Sequence, residues 1–87
     1  MLVEARRLDH SLAAYRQPRL RLEVNDVSLG GMSALSDQPV GFGEHVRISF
    51  PSKGNLPWWE AFGRVTRCEF GPVGYRLGVE FDPLPAA

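Results

Sequence analysis

Apolar and polar residues alternate along three stretches of this chain, and each alternation predicts a strand with one face turned inward. Leu20, Leu22 and Val24 interleave with Arg21, Glu23 and Asn25. Val46, Ile48 and Phe50 interleave with Arg47 and Ser49, which makes His45–Phe50 a second strand. Tyr75, Leu77, Val79 and Phe81 interleave with Arg76, Gly78 and Glu80. The predicted core is Val24, Val46, Ile48, Phe50, Leu77, Val79 and Phe81.

Between these stretches the pattern is weaker. Met1–His10 carries charge with little apolar rhythm and reads as a flexible arm; Ser11–Arg16 reads as a first strand, and Gln17-Pro18 as a turn. Alternation breaks at Asp26-Val27, and Met32–Leu35 forms a short strand after the glycines. Pro51–Pro57 is a loop. Glu60–Phe70 is extended but irregular, with Thr66, Cys68 and Phe70 on one face and Val65, Arg67 and Glu69 on the other. Gly71-Pro72-Val73-Gly74 signals a hairpin. No segment holds a helical period for three turns. The expected fold is therefore all-β: a small six-stranded antiparallel barrel over residues 11–87, preceded by an arm over residues 1–10. Closure of the barrel removes exposed strand edges.

Composition narrows the function. The chain has 87 residues, room for one core and one site but not for separate cofactor and substrate domains. Its formal net charge of zero gives no bulk pull toward nucleic acid or an anionic membrane. With Cys68 the single cysteine, no internal disulfide forms, which fits a reducing compartment. No apolar run approaches the ~20 residues of a spanning helix, and the N-terminus has no signal-peptide core, so the expected location is cytoplasmic. Nine of the ten basic residues are Arg, with Lys53 the exception. Arg suits bidentate contacts to phosphate and guanine, although a genome rich in G and C gives the same bias.

Catalysis is not expected. His10, His45 and Cys68 lack metal-ligand spacing, and Cys68 reads as a buried small hydrophobe. Ser28 precedes a Gly pair, but the strained G-x-S-x-G elbow is absent. No cofactor and no metal are expected.

Asn25-Asp-Val-Ser-Leu-Gly-Gly31 is the informative stretch. As residue types it admits two readings. Asp, Ser and Gly turn a strand; they also gather a carboxylate, a hydroxyl and open backbone at one corner, where Asp26 would accept from the N–H donors of a guanine. Context separates the two. An Arg-bearing segment, Glu4–His10, precedes Asp26-x-Ser28-x-x-Gly31. Gly43–Phe50 follows as G-x-x-V-x-I-x-F, then Gly63–Val65 as G-x-V, then Tyr75–Phe81 as Y-R-L-G-V-E-F. Over about residues 4–82 this resembles the PilZ domain, the bacterial receptor module for cyclic di-GMP.

That resemblance implies a barrel holding the dinucleotide on its outer face, with an R-x-x-x-R arm on the phosphates and Asp26, Ser28 and Gly31 at a guanine. The second motif matches in full. The first does not: Arg6 counted forward four reaches His10, with Arg7 as an additional guanidinium. Arg67 lies near where some relatives place a residue that stacks on a guanine; an exposed strand Arg is the plainer reading. Gly78 leaves outer-surface space or kinks its strand. Trp58-Trp59 follows Pro57, so the Leu56–Trp59 loop and the arm are the expected output surfaces.

The function this implies is a non-catalytic cyclic di-GMP receptor or adaptor. Binding would order Arg6–His10 over Asp26 and Ser28 and change the surface shown to an effector protein. A PilZ domain acting through protein contact alone in pilus or flagellar control is the alternative, and a nucleic-acid-binding small barrel the more distant one. The latter needs a basic face with interleaved aromatics.

Overall fold

The computed structural model describes residues 1–51 and 59–83. Six strands and one short helix follow in order: β1 Leu2–Arg7, α1 Leu12–Arg16, β2 Arg19–Val27, β3 Gly31–Ser36, β4 His45–Phe50, β5 Trp59–Gly71 and β6 Gly74–Phe81. All neighbouring pairs are antiparallel, and the sheet closes in the order β1-β2-β3-β6-β5-β4. The all-β barrel expected from the alternation is the fold. Among the described residues no helix is long and apolar enough to cross a membrane, and no three His, Cys, Asp or Glu side chains are grouped to hold a metal ion.

Inward positions of every strand meet in one core. Val46, Ile48, Phe50, Leu77 and Val79 are buried there, as predicted, while Val24 and Phe81 are partly buried against its edge. Leu20, Leu22, Met32, Ala34 and Val65 complete the wall, and Val40 joins from the loop before β4. Cys68 is half-buried against the same core.

Three expectations are corrected. Leu2–Arg7 is not an arm but β1, hydrogen-bonded between β2 and β4. Its inward residues are Val3, Ala5 and Arg7. A small side chain and a charged one occupy core positions, which erases the apolar rhythm that marks a strand.

Ser11–Arg16 is not a strand. Leu12–Arg16 is a helical turn whose Ser11 cap accepts a hydrogen bond from the Ala14 N–H at 3.1 Å. Ser before an Ala pair favours this start, and burial of Ala14 anchors the turn on the barrel.

In β5 the register slips between Val65 and Arg67. Thr66 is the extra residue of a β-bulge, so Thr66 and Arg67 both face outward while Val65 and Cys68 both face the core. The expected two-face assignment of Val65, Arg67 and Glu69 therefore fails at the bulge. Trp59 belongs to β5 and stacks on Phe50, with centroids 4.0 Å apart and planes at 9°. The predicted output loop from Leu56 to Trp58 lies outside the described residues.

Candidate functional site

Outward residues of four adjacent strands line up in one row. Asp26 on β2 faces Ser33 on β3, Ser33 faces Gly78 on β6, and Gly78 faces Arg67 on β5. Three gaps of ~4.8 Å separate the ends, so carboxylate and guanidinium stems stand about 14 Å apart along the curved sheet. Both ends are bulged. The register slips between Val24 and Asp26 in β2, and between Val65 and Arg67 in β5. Bulges re-aim side chains, and here they turn Asp26 and Arg67 outward at either end of a floor made of Ser33 and Gly78.

Gly78 shapes that floor. A Cβ built on it would lie 3.3 Å from Arg67 Cβ, 3.4 Å from Thr66 Oγ1 and 3.7 Å from Arg67 Nε. The Arg67 side chain thus passes close over the strand at Gly78, and a side chain there would lift it. The outer-surface space expected at Gly78 is occupied by Arg67, on the β5 side. Arg67 Nε lies 3.6 Å from Glu69 Oε1, with both side chains at least half exposed. Such an exposed pair yields readily to a competing anion. Among the described residues the Asp26 carboxylate takes no hydrogen bond and no ion pair, which leaves its oxygens open as acceptors.

The turn after Asp26 is tight. The Ser28 N–H donates to Gly31 O at 2.8 Å and the Ser28 hydroxyl donates to the same oxygen at 3.4 Å. The Phe81 N–H donates to Gly30 O at 2.9 Å, tying the turn to β6. Gly31 is required by packing: a Cβ there would sit 2.3 Å from Val79 O. A Cβ on Gly30 would meet nothing within 4 Å. Of the glycine pair, then, Gly31 seats β3 on β6, and Gly30 lies open beside the motif.

Leu29, at the tip of this turn, is fully exposed. It borders an apolar groove of about 270 Å³ with Trp59, Phe62, Phe81 and Pro83.

The predicted arm residues lie elsewhere. Arg6 pairs in register with Arg19, at the opposite end of β2 from Asp26. At ~3.3 Å per residue, the seven steps from Arg19 to Asp26 span about 23 Å. Arg7 is not an outward guanidinium. Its side chain is buried, with Nη2 donating to Glu44 Oε2 at 3.0 Å and Nε donating to Glu44 Oε1. His10 is exposed in the turn before α1, on the Arg6 side. In this arrangement Asp26, Ser28, Gly31 and Arg67 are brought to one region, while Arg6, Arg7 and His10 are not brought to it. A strand cannot fold over a site at its neighbour's far end, and β1 is held by ladders on both edges.

Ser33 belongs to the row without belonging to any motif of the chain. The alternation of β3 marks it as outward, but only the cross-strand register places it between Asp26 and Gly78.

No curated protein and no solved structure matches the chain significantly. The family model described as "PilZ domain" matches residues 5–87. Since that match spans nearly the whole barrel, including the Asp26 turn and every strand of the Asp26–Arg67 row, the chain belongs to the PilZ domain family.

Proposed function

We propose that this PilZ domain is a receptor or adaptor for cyclic di-GMP that seats a guanine on the Asp26–Ser33–Gly78–Arg67 row. The observation that carries the reading is the register itself, which joins the Asp of D-x-S-x-x-G to Arg67 across a floor without bulky side chains. Asp26 accepts from the guanine N1–H and N2–H donors, and Arg67 offers a planar fork for the O6/N7 edge or a phosphate. Ser28 turns its hydroxyl from Gly31 O toward the ligand. The phosphate contact thus moves from the N-terminal segment to β5.

The protein acts without catalysis, in the cytoplasm, and passes the signal to a bacterial effector protein. Leu29 and the apolar groove beside it adjoin the proposed site, so an occupied site alters the surface that a partner meets.

A calorimetric titration tests this. Cyclic di-GMP is expected to give saturable heat, and GTP and a short single-stranded oligonucleotide none. Asp26→Ala is expected to weaken binding by about 1–3 kcal/mol, or roughly five- to 150-fold. Gly78→Val weakens it by lifting Arg67. His10→Arg, which rebuilds R-x-x-x-R, leaves affinity unchanged because position 10 lies away from the row; tighter binding in that variant would return the arm to the site.

One observation favours a second reading, a PilZ domain working through protein contact alone: Arg7 is committed to Glu44 and Arg6 stands on the other wall. Silence with all three ligands supports that reading. Heat with the oligonucleotide alone points to a nucleic-acid-binding barrel.

A further inference from the structure

The wall opposite the Asp26 row carries a concentration of positive charge that the dinucleotide reading does not use. Arg6 on β1 faces Arg19 on β2 on one side and Arg47 on β4 on the other. Three guanidiniums therefore stand in one outward row across three adjacent strands. Like charges directly opposite one another in a sheet destabilise it. Neither Arg6 nor Arg19 forms an ion pair among the described residues.

Arg47 is only partly answered. Glu60 Oε2 lies 3.1 Å from its Nε. The carboxylate is off the N–H direction, however, and Nε, closed to solvent, makes no hydrogen bond.

Between the three side chains is a polar cleft of about 180 Å³, to which Ser49 and Glu4 also contribute. Glu4 stands one row along, opposite Arg21 and Ser49. Its carboxylate opposes an incoming anion, and Arg21 offsets it. Beyond Arg47 the row continues to Phe62, which is half exposed.

We propose that Arg6, Arg19, Arg47 and the Ser49 hydroxyl form a phosphoryl-binding site, separate from the Asp26 row and independent of its ligand. A carboxylate has two coplanar oxygens and is satisfied by one guanidinium fork. A phosphoryl group presents oxygens in several directions and more than one negative charge, which three forks arriving from three strands match. Its arrival relieves the repulsion that the empty row carries. The source is either free phosphate or pyrophosphate, or the phosphates of a nucleotide whose base reaches Phe62.

The test follows the arginine Nε–H resonances during titration with pyrophosphate, with GTP and, at matched ionic strength, with sodium chloride. Saturable shifts of Arg6, Arg19 and Arg47 are expected with pyrophosphate and not with chloride. The double variant Arg6→Gln, Arg19→Gln removes two charge-assisted contacts and lowers affinity by about tenfold or more. Both positions are exposed, so the variant keeps the fold, which circular dichroism checks. Glu4→Gln tightens binding, and Asp26→Ala leaves it unchanged, which separates this site from the dinucleotide row. Equal affinity for pyrophosphate and GTP identifies free phosphate as the source. Tighter GTP binding with shifts at Phe62 identifies a nucleotide. Non-saturating shifts equal to those in chloride, or saturation centred on other arginines, overturn the site.

Discussion

Glu44→Ala is expected to remove about 3–5 kcal/mol of stability, because it leaves the Arg7 guanidinium buried without its counter-ion. The two side chains are only 4% and 7% exposed. Glu44 Oε2 accepts from Arg7 Nη2 at 3.0 Å and from the Gly41 N–H at 2.9 Å, and Glu44 Oε1 accepts from Arg7 Nε. Arg7 Nη1 also points to Ala13 O, at 3.4 Å. The ion pair thus ties together β1, the helical turn and the loop entering β4. A domain of this length has about 4–13 kcal/mol in total, so the loss consumes much of it.

Arg7→Ala is expected to cost a similar amount, through the uncompensated Glu44. The double variant Arg7→Met, Glu44→Leu is expected to recover a large part, since neither charge then needs to be desolvated. Urea unfolding at constant slope measures all three. Losses below ~1 kcal/mol in both single variants would mean that water reaches the pair. These variants also separate structure from ligand contact: at temperatures where Arg7→Ala is folded, its affinity for cyclic di-GMP is expected to match that of the unchanged protein.

Phe50→Ala carries the second large effect, about 3–5 kcal/mol. The ring is 2% exposed. It lies flat on Trp59 at 4.0 Å and meets Phe81 edge-on at 6.4 Å and 90°. Truncation empties the space between β4, β5 and β6 and forfeits both aromatic contacts, each worth ~0.5–1.5 kcal/mol beyond area. Phe81→Ala is expected to cost less, since Phe81 is only partly buried. Unfolding midpoints of the two variants check the order. Equal losses would show that Phe81 is the keystone of the cluster instead.

The strands read directly from the sequence are those with Val, Ile, Leu or an aromatic residue at every inward position, such as Val46–Phe50 and Tyr75–Phe81. Period-two burial is a local property, so one strand's residues suffice to reveal it. β1 was hidden because Ala5 and Arg7 sit where apolar bulk is expected, and Arg7 is tolerated there only because Glu44, 37 residues away, neutralises it. The helical turn was hidden because Leu, Ala and Tyr suit either structure, and the Ser11 cap and burial of Ala14 decided between them.

The site divides in the same way. D-x-S-x-x-G was legible as a motif, since its residues are neighbours along the chain. An all-β barrel, the inward faces of β4 and β6, and the Asp26–Gly31 motif follow from the order of residues along the chain. Pairing of distant strands places Arg67, Gly78 and Ser33 in a row with Asp26, turns Arg7 inward, and sets Arg6 opposite Arg19 and Arg47. The reason is physical: cross-strand register and bulges set which outward residues meet, and each depends on pairing between segments far apart in the chain.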